Sequence, residues 1–156
     1  MQMKPGQEAL DFTLPDQNGK LRTLSEYTGS WVLLYFYPKD DTPGCTKEAC
    51  VIRDSFAEFK KTGVEVLGVS VDSIASHKKF EEKYGLPFIL LADENKEVVK
   101  KYGVWAPKKF MGREYFGTHR TSFLINPKGK IAKVYKNVKP EVHAKEVLED
   151  LNKTRL

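Results

Sequence analysis

The chain reads as an α/β domain of three layers with a mixed central sheet and an N-terminal hairpin, and three observations predict it. Two continuous apolar runs, "WVLLYFY" and "VEVLGVSVD", have the character of strands covered on both faces. Segments of helical period follow each of them, so strand and helix alternate. The closing "TSFLINPKGKIAKVY" places a Pro-Lys-Gly turn between two apolar segments, which adds a hairpin to that alternation and makes the sheet mixed.

Taken in order, "DFTLPDQNGKLRTLSEY" opens the chain with Asn18-Gly19 between short alternating segments, a strong hairpin signal. The first buried strand, 31–37, runs into "PKDDTPG", a loop by its prolines, aspartates and glycine. From about Thr46 the period turns helical: Ala49, Ile52, Phe56 and Phe59 recur at spacings of three and four until Gly63 ends the pattern. The second buried strand leads to Ser73 or Ser76 as cap of a helix through "HKKFEEKY", stopped at Gly85-Leu86-Pro87. "FILLAD" is a third strand, and "ENKEVVKKYG" holds a short helix. After the closing hairpin, "PEVHAKEVLEDLNK" supplies a terminal helix with Pro140 near its start. The loop "PKDDTPG" leaves the C-terminal end of an early strand and enters a helix, where open α/β sheets place their sites. The arrangement matches a thioredoxin-like fold.

At 156 residues, with no repeat, low-complexity linker or composition shift, one domain over 1–156 is expected. A chain of this size buries roughly 70% of its unfolded surface and needs no disulfide staple or structural metal. The longest apolar run is far short of the ~20 residues of a membrane helix. "MQMKPGQEAL" has no apolar core of a secretory signal, so the cytoplasm is the expected compartment and no membrane is expected as a partner. The formal charge is +5, but the lysines are interleaved with acids, as in "KKFEEKYG". Such mixing describes solvated helix faces rather than a nucleic-acid footprint, while acidic protein partners stay compatible with it.

Chemistry concentrates in "YFYPKDDTPGCTKEAC", which holds both cysteines, Cys45 and Cys50. Two cysteines with three scattered histidines, His77, His119 and His143, fall short of a zinc ligand set, and no metal is expected. His77 and His143 sit in charged helical segments and read as solvated. Cys50 fits a buried helical position as a small hydrophobe. Cys45 follows Pro43-Gly44 at a helix start, where unpaired backbone N–H groups lower a thiol's pKa and favour the thiolate. In one regular helix the two Cα atoms stand roughly 8.6 Å apart, beyond the ~7 Å limit for a disulfide. Either the bond never forms or forming it unwinds the helix start. Thr42 can offer a hydroxyl at short range. A guanidinium would stabilise both the thiolate and a developing oxygen charge. Of Arg22, Arg53, Arg113 and Arg120, the last stands out because it directly precedes "TSFLI" in a chain that otherwise prefers lysine.

These residues resemble the active site of the peroxiredoxins, in particular the bacterioferritin comigratory protein / PrxQ group. The family pattern Pro-x-x-x-Thr-x-x-Cys, followed by x-x-Glu, stands here as Pro38, Thr42, Cys45 and Glu48. The likeness extends through "DFTLPDQNG", "LGVSVDS", "KYGLPF", "LLAD", "KYGVW" and "HRTSFLINPKGKI", with Arg120 at the family's arginine. It implies a thiol peroxidase that reduces hydrogen peroxide and organic hydroperoxides without a cofactor. Cys45 would be the peroxidatic and Cys50 the resolving cysteine, joined transiently by a disulfide that thioredoxin reduces. Pro38 would shield the thiolate, Thr42, Arg120 and the backbone about Gly44 would bind the peroxide, and Glu48 would orient the arginine. Members of the group are often monomers. Asp41 departs from the aromatic or apolar residue common at its place and adds a negative charge near the site. The competing reading is a protein dithiol-disulfide oxidoreductase, whose redox motif has two residues between its cysteines rather than four.

Overall fold

The computed structural model describes residues 3–154. Its centre is a five-stranded sheet. Strand β3 (Trp31–Phe36) lies in the middle, parallel to β4 (Val64–Ser70) and antiparallel to β8 (Thr121–Ile125). Strand β5 (Ile89–Ala92) extends the parallel side and β9 (Ile131–Tyr135) the antiparallel side. The sheet is therefore mixed and the layers are those of a thioredoxin-like fold.

Both faces of β3 are covered, as its unbroken apolar sequence requires. Leu33, Tyr35 and Tyr37 pack into one core with Cys45, Ala49 and Ile52 of α1 (Pro43–Asp54), Phe59 of α2 (Phe56–Lys61) and Phe80 of α3 (Ile74–Tyr84). Ala144, Val147 and Leu151 of α5 (His143–Thr154) complete that side. Val32, Leu34 and Phe36 point the other way, into a core shared with Val98 and Val99 of α4 (Glu97–Lys101) and with Leu14 of the first hairpin. Each of the Leu, Ile, Val and Phe side chains among these, fully buried, contributes roughly 1.5–3 kcal/mol.

The N-terminal hairpin, β1 (Thr13–Pro15) with β2 (Leu21–Thr23), turns where Asn18-Gly19 indicates. Ser73 caps α3 by accepting from Ser76 N at 3.1 Å. Three boundaries differ from expectation. Helix α1 begins at Pro43 rather than near Thr46, because proline at the first helical position needs no amide partner. The apolar period across 46–62 is interrupted at Ser55, which separates α1 from α2. Pro140 lies in the turn that precedes α5, whose first helical residue is His143. A second hairpin, β6 (Trp105–Phe110) with β7 (Arg113–Thr118), carries no expectation from the sequence. Its turn residues, Met111 and Gly112, both have positive φ (52° and 79°), and Pro107 stands inside the strand. A methionine in that conformation and a strand proline both mask the usual hairpin signature.

Candidate active site

The site follows from sheet order. Because β8 runs antiparallel to β3, its first residue, Thr121, pairs with Phe36 at the C-terminal end of β3. Arg120, one residue earlier, thereby sits at the same sheet end as the loop that leads into α1. Its own carbonyl accepts from Val138 N at 3.1 Å, which fixes the backbone there. Thr42 is the N-cap of α1, and Cys45 is the third helical residue. The first α-helical bond runs from Thr46 N to Thr42 O at 2.8 Å. Pro43 has no N–H, so the amides of Gly44 and Cys45 are the orphan donors of this helix start.

Cys45 is 1% exposed and packs beside Ala49 and Ile52. Arg120 reaches it: Nη2 lies 3.4 Å from the sulfur, while Nη1 donates to Glu48 Oε1 at 2.7 Å. Gly44 makes that approach possible, since a Cβ there would stand 2.9 Å from Nη2. Burial opposes the charge on Arg120, but Cys45 and Glu48 together hold its pKa above the ordinary arginine value. Glu48 has no exposed surface. Burial pushes its carboxyl up to about 7, and the charge and hydrogen bond of Arg120 recover only part of that rise. Its second oxygen, Oε2, is buried without a partner among the described residues.

Two further residues act electrostatically on the Cys45, Glu48 and Arg120 group. Lys108 on β6 donates to Thr118 O at 2.8 Å, and its ammonium acts on both Arg120 and Cys45. Burial and then Arg120 lower its pKa, against the raising effect of Cys45. Tyr35 of β3 shares its core with Cys45, and its hydroxyl is buried and unpartnered among the described residues. Burial, then Glu48 and Cys45, raise its pKa well above the usual phenol range. Its ring lies over Gly68, its partner across the parallel pair, where a Cβ would approach it to 2.9 Å. The sequence does hold a signal for this contact: a glycine inside a buried strand marks a close approach. Lys108 had none, because its hairpin was not legible.

The loop before α1 is clamped by buried polar groups. Asp40 Oδ1 accepts from Tyr37 Oη at 2.6 Å, and Oδ2 accepts from Ser76 Oγ at 2.8 Å. His77 Nδ1 is 2.6 Å from Asp40 Oδ2, and Nε2 donates to Leu91 O at 2.9 Å. Asp40 N donates to Asp72 Oδ2 at 2.9 Å. The ligand-type atoms of Asp40, Asp72 and His77 lie within 4.8 Å of one another, but they are turned to each other and to Tyr37, Ser70 and Ser76. His77 is thus corrected from a solvated to a fully buried residue. His143 is corrected likewise: it is fully buried, with Nε2 2.8 Å from Ser122 Oγ. Both helices are amphipathic, and each histidine faces the sheet.

Asp41 adopts a left-handed conformation, φ 54°, which suits an aspartate. Its carboxylate accepts from Lys83 Nζ at 2.8 Å and Tyr84 Oη at 2.7 Å, hydrogen bonds that lower its pKa. The charge expected near the site is therefore tied to α3. Thr42 does not place its hydrogen on the sulfur; Oγ1 donates to Lys39 O at 2.9 Å. Pro38 is half-buried directly after β3 and Tyr37. Cys50 is half-buried on the same helix as Cys45, and both thiols are free. The other three candidate arginines are engaged elsewhere or exposed: Arg22 pairs with Asp16, Arg53 with Asp54 and Tyr84 O, and Arg113 is on the surface.

Comparison with known proteins places this geometry. Residues 5–134 match the model of the AhpC/TSA family. Peroxiredoxin Bcp of Escherichia coli K12 is 48% identical over 146 residues, covering 94% of both chains. A crystal structure of a PrxQ mutant from Xylella fastidiosa superposes with a TM-score of 0.94 at 34% identity, covering 100% of this chain and 99% of that one. The bacterioferritin comigratory protein of Xanthomonas campestris, studied for its alkyl peroxide reduction activity, superposes with a TM-score of 0.88 at 35% identity over 93% of this chain and 92% of that one. The chain belongs to the AhpC/TSA family and, within it, to the Bcp/PrxQ peroxiredoxins, enzymes that act as thiol peroxidases.

Proposed function

We propose that Cys45 is the peroxidatic cysteine and Cys50 the resolving cysteine of one polypeptide, acting on hydrogen peroxide and organic hydroperoxides. The observation that carries the assignment is Arg120 Nη2 at 3.4 Å from the Cys45 sulfur, at a helix start with two orphan amides. The Cys45 thiolate attacks the terminal peroxide oxygen, the O–O bond breaks, and Cys45 becomes a sulfenic acid while water or an alcohol leaves. Arg120 and the amides of Gly44 and Cys45 stabilise the charge on the departing oxygen. Thr42, with its own hydrogen committed to Lys39 O, presents a lone pair to the peroxide O–H. Pro38 covers the thiolate, and Glu48 braces Arg120.

The start of α1 then opens, Cys50 gives up its proton and its sulfur attacks the sulfenic sulfur; the S–O bond breaks, and the departing hydroxide takes up that proton as water, closing a Cys45–Cys50 disulfide. Thioredoxin restores both thiols by exchange. The whole cycle uses residues of one domain, 1–156, so a monomer in the cytoplasm suffices. Among the described residues no helix is long and apolar enough to cross a membrane. The alkyl peroxide reduction of the Xanthomonas campestris relative supports organic hydroperoxides as substrates.

The test is peroxide consumption coupled to thioredoxin, thioredoxin reductase and NADPH, across several peroxides. Cys45→Ser should abolish turnover. Cys50→Ser should form the sulfenic acid at the parent rate and then stop. Equal loss of the first oxidation in both variants would overturn the assignment, and sedimentation at assay concentration checks the monomer.

A further inference from the structure

Glu48 has so far served only as a brace, yet its setting gives it more to do. One guanidinium faces two buried acids: Nη1 holds Glu48 Oε1 at 2.7 Å and Nη2 faces Cys45 at 3.4 Å. Lys108 of β6 adds positive charge toward Cys45, and Tyr35 of β3 faces both acids as an uncharged phenol. On the other flank of α1, α5 packs with the apolar Ala144, Val147 and Leu151. The thiolate thus commands two cations while Glu48 shares one. Glu48 Oε2 is buried without a partner among the described residues. An ionised carboxylate so placed is costlier to bury than a neutral carboxyl.

We propose that Glu48 holds a proton in the reduced enzyme and releases it when Cys45 is oxidised, so that the pocket itself supplies the proton taken up by the departing oxygen. The proposal rests on Cys45 being the attacking thiolate. Cys45 thiolate, hydroperoxide and Glu48 carboxylic acid give Cys45 sulfenic acid, alcohol and Glu48 carboxylate. The S–O bond forms as the O–O bond breaks, and one negative charge is kept throughout. When the sulfur becomes neutral, Arg120 loses the thiolate, the one anion it faced, and is free to compensate the new Glu48 carboxylate. The lift of Glu48 to about 7 by burial fits a group that changes state at neutral pH. Glu48 acts here as a proton-holding and positioning residue, not as one that touches peroxide.

Infrared difference spectroscopy tests this on Cys50→Ser, which halts at the sulfenic acid, labelled with ¹³C-glutamate and given one equivalent of hydrogen peroxide at about pH 6. The expected result is loss of one glutamic-acid carbonyl band per chain and gain of a carboxylate band, both moved by the label. In weak buffer, with the thiolate followed by its ultraviolet absorbance, oxidation should take no net proton from solvent. With Glu48→Gln added, the carboxyl signal should vanish and uptake rise to about one proton per chain. Should that double variant fail to fold, the labelled spectrum of Cys50→Ser decides alone. Sulfenic acid formed with a silent glutamate spectrum overturns the proposal and leaves the peroxidase assignment standing. Failure to form sulfenic acid overturns both.

Discussion

At Gly44 even a methyl group would stand 2.9 Å from Arg120 Nη2, closer than side-chain carbons come in folded proteins. The glycine is inside a helix, so its backbone freedom is not what the position needs; the missing Cβ is. Alanine is the better helix former by roughly 0.5–1 kcal/mol, so Gly44→Ala should fold at least as well as the parent. The guanidinium must then shift, and with it the donor closest to the reacting sulfur. Oxidation of Cys45 by hydrogen peroxide should slow ~10-fold in Gly44→Ala and ~100- to 1000-fold in Arg120→Met, the range for losing one preorganised donor. Stopped-flow measurement of the first oxidation reads both. A stable Gly44→Ala that reacts at the parent rate would remove Arg120 Nη2 from the transition state.

Helix α1 carries both thiols, and its regular geometry keeps their Cα atoms roughly 8.6 Å apart, so it cannot stay intact in the disulfide form. Its flanks are held unequally. The residues before it are fixed by the Asp40 cluster and by Asp41 on Lys83 and Tyr84, while Ala49 and Ile52 are buried within its second half. Opening is therefore confined to the turns between, and the oxidised protein should lose the ellipticity of about 7 helical residues, two turns. Circular dichroism of the reduced and oxidised protein measures it, with Cys50→Ser, which cannot close the ring, keeping its full helix signal. Unchanged ellipticity beside a proven Cys45–Cys50 bond would contradict a regular helix across 45–50. The need for opening was readable from five-residue spacing alone. The helix start was not, because Pro43-Gly44 has loop composition and only the N-cap geometry of Thr42 makes it a first turn.

Across the whole molecule, what the sequence concealed was adjacency. Alternating strands and helices, both long buried strands and the helical period from about Thr46 are written in local pattern. That Arg120 and not Arg22, Arg53 or Arg113 meets the sulfur depends on β8 pairing antiparallel with β3, a contact across 85 positions or more that no local pattern encodes. The two buried histidines were hidden for the same reason: charged neighbours along the helix said nothing of the sheet beneath. His143 gives this a measurable consequence. Burial lowers its pKa below the ordinary 6.5, against the opposing effects of Glu146 and Asp150, while Ser122 Oγ and the Tyr135 ring enclose it. Below 6.5 the unfolded chain takes a proton on this residue that the folded chain still refuses. The unfolded state then binds more protons, so stability falls as pH falls through the window just under 6.5, by up to about 1.4 kcal/mol per pH unit. Urea unfolding of the reduced protein and of His143→Gln across that window isolates the effect from His77 and the carboxylates. The difference between the two curves should narrow steadily as pH falls, and a constant difference would mean that His143 takes up its proton as easily in the fold as outside it.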